Sequence, residues 1–391
     1  MGKPNKEKKK PVPAPRKTAA CGKGLKDYPY ENMPPVFVDD SVVEPDAKNN
    51  PDGAKFKKRP PKKEVLVYDT PRPIVHKVEP KAQAANPVAR PSATGANAVH
   101  EAVPLAQFED YIHKKKKRTY RDGNGFLKDY EDLPAPVKHA CSVGKKRANK
   151  EKNRYANILP YDDTRVVLEK LPNKPNSDYV NASYIDGFDE PRKYIATQGP
   201  TKVSVDDMWR MVWQENVSKI VMLTNLRDGV KEKCDKYWPD DTTTYGNITV
   251  RLMNEVEHNG YIVREFTLAI KSQKRLRQVC QFHFTAWPGD GLPKESAKLI
   301  EFIKAVREFR PDGAGPMVVH CSTGTGRTGL FIVLDAMLDQ VEKEGRVDIW
   351  NFTRSMRDKR IGVIQSALHY EFIFDTLLNT LKCAETTVKS A

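Results

Sequence analysis

The sequence predicts an α/β domain that follows a disordered, basic N-terminal extension. Residues 1–100 contain 16 of the chain's 29 prolines and carry 20 Lys and Arg against 11 Asp and Glu. They bury too little apolar surface to offset the entropy of ordering. Further along, segments with the 3.6-residue period of helices interleave with β-branched runs. We therefore expect an extension over 1–104, one folded domain over 105–385 and a short tail over 386–391.

The elements of the domain are predicted in chain order from their apolar patterns. Apolar residues at helical spacing indicate helices, and short β-branched runs indicate buried strands. An Asn-Gly pair, Asn259 and Gly260, favours a tight hairpin turn between two strands. The predicted elements are a helix over 203–215, a strand over 218–223, a hairpin over 246–270, an amphipathic helix over 295–309 and a strand over 317–319.

The most informative stretch is HCSTGTGRTG, residues 320–329. It stands between the last predicted strand and an apolar segment with helical spacing, so it is predicted to be a strand, loop and helix. The backbone N–H groups of a glycine-rich loop that enters a helix converge on one point, and the helix dipole adds positive potential there. Such a loop favours a dianion such as phosphate.

Cys321 begins this loop, and its surroundings predict a reactive thiolate. A thiol so placed has its pKa lowered from about 8.5 to roughly 3.5–7.5. Arg327 can hold two phosphate oxygens with its planar guanidinium, a geometry that lysine cannot copy. Thr328 offers a hydroxyl to the thiolate, and His320 is interpreted as a buried support of the loop rather than as a base. The alternative is an inert cysteine beside a tight turn.

With these residues the chain resembles the protein tyrosine phosphatases, whose signature HCxxGxGRTG it matches at every fixed position. Seven further segments extend the resemblance in family order: KNRYANILPYDDTRVVL, SDYVNASYIDG, YIATQGP, DMWRMVWQ, KCDKYWP, FHFTAWP and IQSALHYEFI. The resemblance implies a highly twisted mixed β-sheet flanked by helices. It also implies hydrolysis of protein phosphotyrosine through a cysteinyl-phosphate. We interpret the chain as a non-receptor type with a single phosphatase domain, and we expect no cofactor and no metal.

The resemblance also implies which residues bind the substrate. Tyr155 would wall a deep slot that lets only the longer phosphotyrosine side chain bring its phosphorus to Cys321. Asn157 stands where many members have an aspartate that holds the substrate backbone, and asparagine still accepts a hydrogen bond. Gln365 matches the glutamine that positions water for the second half-reaction. The phosphate would be bound by Ser322, Thr323, Gly324, Thr325, Gly326 and Arg327.

The sequence departs from the family at the acid loop, WPGDGLP over residues 287–293. Members carry WPD there, and their aspartate protonates the departing tyrosyl oxygen and then deprotonates the attacking water. Gly289 occupies the matching position, and a positioned general acid is worth about 10²- to 10⁴-fold. We therefore expect reduced turnover, and we expect Gly289→Asp to raise it. Asp290 is the candidate substitute, unless the segment is only a turn with a solvated aspartate. Asp228 aligns with a glutamate that braces the signature arginine.

Two functions follow from these residues. In the first, the protein is a phosphotyrosine phosphatase with Cys321 as nucleophile, Asp290 as acid and then base, and Gln365 orienting water. In the second, it is a pseudophosphatase that binds phosphotyrosine with negligible turnover, because Gly289 cannot transfer a proton. The presence of Cys321 and Arg327 favours the phosphatase, which is the function we predict.

The remaining features concern location and partners. No run reaches the roughly 18 apolar residues of a membrane span, and the charged start MGKPNKEKKK lacks the apolar core of a signal peptide. A cytoplasmic location is predicted, with a nuclear location as the alternative. The basic runs 57–63 and 113–118 either contact a polyanion or an anionic membrane, direct nuclear import, or form a solubilising linker. The expected partners are proteins that contain phosphotyrosine, and the sequence specifies no oligomeric state.

Overall fold

The computed structural model describes residues 100–134, 139–271, 273–289, 291–293, 296–311 and 315–389, without the side chains of 274 and 384–389. The N-terminal extension up to residue 99 lies outside the described residues, and so does Asp290. Their predicted disorder and predicted catalytic role therefore stay predictions.

Helices and strands alternate along the described chain. The helices are α1 (Leu105–Lys117), α2 (Gly125–Asp132), α3 (Ser142–Lys145), a 3-10 helix (Arg147–Lys152), α4 (Val205–Gln214), α5 (Ala297–Glu308), α6 (Gly326–Glu344), α7 (Ile349–Lys359) and α8 (Ala367–Lys389). The strands are β1 (Val103–Pro104), β2 (Thr119–Tyr120), β3 (Gly123–Asn124), β4 (Arg165–Val167), β5 (Tyr179–Ile185), β6 (Tyr194–Thr197), β7 (Lys219–Met222), β8 (Arg227–Asp228), β9 (Lys231–Glu232), β10 (Thr242–Tyr245), β11 (Ile248–His258), β12 (Tyr261–Ile270), β13 (Gln273–Phe284), β14 (Met317–His320) and β15 (Arg346–Val347).

Nine of these strands form one mixed sheet in the order β10-β11-β12-β13-β7-β14-β6-β5-β4. Its central strands β13, β7, β14 and β6 are parallel, and the outer pairs are antiparallel. The predicted α/β class and the mixed sheet flanked by helices are confirmed. The predicted hairpin is also present, with His258 opposite Tyr261 and with φ of 100° at Gly260, a backbone conformation that favours glycine.

The central strands separate two apolar cores, because successive side chains of a strand point to opposite faces. In β7, Val221 belongs to one core and Ile220 to the other, and in β14 Val319 and Val318 divide in the same way. Helices α5, α6 and α8 supply the first core, whereas α4 supplies the second. The strand that leads to Cys321 is therefore buried on both faces, which fixes where the following loop begins.

Packed structure extends beyond both predicted ends of the domain. Val103 of β1 pairs with Val347 of β15, and the ring of His100 stacks on Trp350 with 4.1 Å between centroids. Helix α8 continues to Lys389, past the predicted end at 385. The described residues 100–104 are thus part of the packed structure, although we had placed them in the extension.

The basic run 113–118 lies at the end of α1 and contributes to the fold. Lys115 Nζ lies 2.6 Å from both carboxylate oxygens of Asp129, and Lys116 Nζ lies 2.7 Å from Asp375. These two lysines connect α1 to α2 and α8. Lys114, Lys117 and Arg118 of the same run are exposed.

Candidate active site

The candidate site forms where the four parallel strands end. Cys321 directly follows β14, Gln198 follows β6, the loop that contains Asp228 follows β7, and the segment 287–289 follows β13. The carboxyl ends of parallel strands meet at one edge of a sheet, which is where ligands bind in open α/β sheets. Segments far apart in sequence therefore converge on the cysteine.

The Cys321 side chain lies at the bottom of the phosphate loop, which comprises residues 321–325 between β14 and α6. It is only 3 % exposed. Burial alone would raise the pKa of its thiol. The Thr328 hydroxyl and the amides of Thr328, Thr325 and Gly324 favour the thiolate, outweigh burial and lower the pKa below its usual range. The Gly324 amide donates to Sγ at 3.2 Å. The loop thus favours the thiolate.

The backbone of the loop has a shape that requires glycine at its tip. Gly324 has φ of 71°, and a Cβ there would lie 2.2 Å from the carbonyl oxygen of Thr197. The hydroxyls around it are paired with each other, since Thr323 Oγ1 and Thr325 Oγ1 are 2.8 Å apart. The loop is therefore fixed by neighbouring backbone on one side and by its own hydroxyls on the other.

Arg327 connects this loop to the segment that carries Gly289. Its Nη2 donates to the carbonyl oxygens of Pro288 at 2.9 Å and Gly289 at 2.6 Å, and its Nη1 donates to Leu223 O at 3.3 Å. Its guanidinium also lies 5.2 Å from the centroid of Trp287, which is within the range of a cation–π contact. The arginine predicted to bind phosphate is thus held by three backbone carbonyl oxygens and one ring.

His320 is a neutral structural residue, in agreement with the interpretation from sequence. Gln281 Nε2 donates to the Tyr237 hydroxyl at 2.7 Å, which leaves that hydroxyl to donate to His320 Nε2 at 2.8 Å. Nδ1–H then donates to Cys321 O at 3.2 Å. Burial lowers the pKa of His320 to about 3. This chain of hydrogen bonds orients the backbone of the nucleophile and takes up no proton near neutral pH.

Arg360 supports the loop from below and was missed in the sequence. Its side chain is fully buried, and it donates to Gly324 O at 2.8 Å and to Thr323 O at 3.3 Å. Burial lowers its pKa to about 10, so it is still cationic at neutral pH. The sequence shows only an arginine shortly before Gln365, and arginines mostly lie at the protein surface.

The segment that carries Tyr155 lies beside the phosphate loop. The Tyr155 hydroxyl is 2.8 Å from Ser322 Oγ, and Ser322 Oγ donates to Lys233 O at 2.7 Å. Tyr155 must therefore be the donor to Ser322, which positions its ring beside the loop. Arg154 anchors the same segment by donating to Gly199 O at 3.0 Å. Asn157, which follows shortly after Tyr155 in the chain, is exposed.

Gln365 lies beside the start of α6. Its Oε1 is 3.0 Å from the position that a Cβ on Gly326 would occupy, and the side chain is exposed. Ile364, which precedes it, has φ of 56°, a backbone strain found at ligand-binding positions. The structure thus brings Gln365 to the loop that carries Cys321.

The acid loop places Gly289 against Asp228. A Cβ added to Gly289 would lie 1.8 Å from Asp228 Oδ1 and 2.3 Å from its Cγ. The carboxylate of Asp228 also lies 3.4 Å from Lys233 Nζ. The resemblance implies that Asp228 aligns with a glutamate that braces the signature arginine, and its contact with Gly289 does not follow from the sequence. Asp290, the predicted acid, lies outside the described residues.

Comparison with known proteins agrees with this geometry. The family model of the protein-tyrosine phosphatases matches residues 149–379, which is more than half of the chain. The chain therefore belongs to the protein-tyrosine phosphatase family.

Its relatives include several receptor-type enzymes. It is 42 % identical over 288 residues to the human receptor-type tyrosine-protein phosphatase alpha, covering 72 % of this chain and 36 % of that protein. It is 43 % identical over 293 residues to receptor-type tyrosine-protein phosphatase U of Gallus gallus, covering 75 % of this chain and 20 % of that protein. The chain thus spans about a third or less of the length of these relatives. None of the described helices combines the length and apolar character that a bilayer crossing requires.

Proposed function

We propose that this protein hydrolyses phosphotyrosine in other proteins through a cysteinyl-phosphate intermediate. The observation that carries the proposal is the buried Cys321, whose pKa is lowered by the amides and the threonine of its own loop. A thiolate at the focus of converging amides is both a nucleophile and part of an oxyanion site. Tyr155 beside the same loop supports selection of the long phosphotyrosine side chain.

In the first half-reaction the Cys321 thiolate attacks phosphorus and the bond to the tyrosyl oxygen breaks. Arg327 and the loop amides of Ser322, Thr323, Gly324, Thr325 and Gly326 stabilise the developing charge. In the second, water oriented by Gln365 attacks phosphorus, and the S–P bond breaks to release phosphate. Thr328, whose hydroxyl helps to lower the pKa of Cys321, assists the departure of the sulfur. Asn157 would hold the substrate backbone.

The proton donor is the part of this mechanism in which the chain departs from its family. Asp290 is the donor proposed from sequence, with Gly289 at the position that members fill with aspartate. We therefore propose a turnover below that of members with WPD. Gly289 also favours the second candidate function, a pseudophosphatase that binds phosphotyrosine and releases almost no phosphate.

A panel of phosphotyrosine peptides tests the two functions together. Purified full-length protein should release phosphate at a rate well above that of Cys321→Ser, which keeps the loop but lacks the thiolate. Vanadate, a tetrahedral oxyanion, should inhibit this release. If the protein binds the peptides and releases no more phosphate than Cys321→Ser, the phosphatase is refuted and the pseudophosphatase is supported.

Location and organisation are also proposals. We propose a non-receptor type with one phosphatase domain that includes residues 105–385, in the cytoplasm or nucleus. The single HCxxGxGRTG motif supports one phosphatase domain, and the reducing conditions that a thiolate nucleophile needs support the location. The basic N-terminal segment would contact a polyanion or an anionic membrane. Fractionation of cells that express the tagged full chain, with and without residues 1–99, tests both statements.

A further inference from the structure

The carboxylate of Asp228 occupies the space in which a side chain at position 289 would begin. A Cβ built on Gly289 lies 1.8, 2.3 and 2.5 Å from Oδ1, Cγ and Oδ2 of Asp228. Cβ atoms in proteins essentially never approach a non-bonded heavy atom within 3.0 Å. In this arrangement of the loop, the carboxylate of Asp228 and any side chain at 289 are mutually exclusive.

A short hairpin holds Asp228 in this place. Strands β8 and β9 hold it by backbone pairing of Arg227 with Glu232 and of Asp228 with Lys231. The exposed side chains of Arg227 and Glu232 form an ion pair at 2.9 Å, which contributes little to stability. Lys233 Nζ lies 3.4 Å from the Asp228 carboxylate, whose side chain is 30 % exposed. Asp228 is thus restrained by backbone pairing and remains accessible from solvent.

Gly289, which lies against Asp228, also contacts the arginine of the phosphate loop. The carbonyl oxygen of Gly289 accepts a hydrogen bond from Arg327 Nη2 at 2.6 Å, so residue 289 is at once against Asp228 and against the arginine of the phosphate loop. A carboxylate is therefore present at the Cβ position of residue 289, although Asp228 carries it.

We propose that Asp228 is the general acid and base of this protein, replacing the aspartate that Gly289 lacks. This assignment rests on the proposed phosphatase function. When Cys321 attacks, the Asp228 carboxyl gives its proton to the tyrosyl oxygen as the P–O bond breaks, so tyrosine and cysteinyl-phosphate form. The Asp228 carboxylate then takes a proton from water as the water oxygen bonds to phosphorus. The S–P bond breaks, which restores the Cys321 thiolate and the Asp228 carboxyl.

Several charged groups face this carboxylate. Lys233 lies at 3.4 Å, Lys231 is opposite Asp228 in the β8–β9 register, and Arg327 holds the backbone of residue 289. Glu232 is engaged by Arg227 on the same hairpin. Among the described residues, Lys233 is thus the cation in contact with this carboxylate, whose side chain stays 30 % exposed.

The test compares Asp228→Asn, Asp290→Asn and Glu232→Gln on two substrates. One is a phosphotyrosine peptide, and the other is an aryl phosphate whose phenol is acidic enough to leave with little protonation. Asp228→Asn should lower kcat on the peptide by about 10²- to 10⁴-fold, with a loss about tenfold smaller on the aryl phosphate. Glu232→Gln, on the same hairpin, should leave both rates within about twofold. Inhibition by vanadate shows that each variant retains the phosphate site.

Three results would contradict the assignment, and they are separable. If Asp228→Asn loses the same factor on both substrates, Asp228 only positions the loop. If Asp290→Asn instead shows the leaving-group dependence, Asp290 is the acid. If the unaltered protein releases no more phosphate than Cys321→Ser, the proposed function itself fails, and the acid assignment fails with it.

Discussion

The phosphate loop and the acid loop of this protein differ in what holds them. In the phosphate loop both side chains and backbone hold the amides around Cys321 in place, through Gly324, Thr325 and Arg360. In the acid loop Arg327 binds the carbonyl oxygens of residues 288 and 289 and contacts the Trp287 ring. The side chain expected at 289 is missing, and the carboxylate of Asp228 fills its space.

This difference separates oxyanion binding from proton transfer. In the proposed mechanism, the amides and Arg327 supply the electrostatic stabilisation of a phosphoryl group, which is often the largest single contribution to catalysis. Proton transfer depends on one carboxyl at one place. The first function can therefore be intact while the second is rearranged, and each can be removed separately.

Removing the nucleophile should have the largest effect. Cys321→Ser replaces the stabilised thiolate with a hydroxyl that stays protonated, so turnover should fall on the order of 10⁶-fold, as for loss of other catalytic nucleophiles. Binding of a phosphotyrosine peptide, measured by calorimetry, should persist because the amides remain. Equal losses of binding and turnover would show that the two functions are not separable here.

Replacing the arginine should have the next largest effect, because it acts on both loops. Arg327→Lys removes the bidentate guanidinium and the paired bonds to the carbonyls of Pro288 and Gly289. We expect kcat/KM to fall by about 10²- to 10³-fold. Arg227→Lys, an exposed arginine on β8, serves as the control. A loss confined to KM would mean that Arg327 only binds the ground state.

Restoring aspartate in the acid loop should have a smaller effect, and in the direction opposite to that expected from sequence. In Gly289→Asp the new Cβ overlaps Asp228, and two carboxylates would meet, so kcat should fall about tenfold rather than rise. The double variant Gly289→Asp, Asp228→Gly removes the overlap and should recover activity. A rise in the single variant would show that Asp228 moves aside freely.

The smallest effect concerns the histidine on the strand that leads to the acid loop. Burial lowers the pKa of His283 to about 4, while Nε2 donates to Thr224 O at 2.9 Å. Below about pH 6.5 His283 binds a proton in the unfolded chain but not in the folded one. The free energy of unfolding therefore decreases as pH falls from about 6.5 to 4. His283→Gln should reduce this slope by about 1.4 kcal/mol per pH unit.

Urea unfolding at several pH values measures that slope. At pH 8 the difference between His283→Gln and the unaltered protein reports only the lost contacts. An unchanged slope below pH 6.5 would show that His283 is protonated in the folded state. His320, with its pKa lowered to about 3, should contribute a similar slope from beneath the phosphate loop.

The sequence was sufficient for features whose residues lie close together in the chain. The strand, loop and helix around Cys321, the hairpin at Asn259 and Gly260, and helix α4 all follow from local periodicity and turn chemistry. The contact between Asp228 and Gly289 joins residues on different loops, and only the parallel order of β7 and β13 brings them together. Arg360 was missed for a similar reason, since nothing local distinguishes a buried arginine from an exposed one.

The bonds from Arg327 to the acid loop end on carbonyl oxygens, which every amino acid has. Any residue at 289 can therefore accept the hydrogen bond from Arg327, and a substitution there that avoids the overlap with Asp228 changes the chemistry without removing that bond. On the proposed assignment, the proton donor can thus move from one strand to another in evolution while Arg327 keeps the acid loop in place.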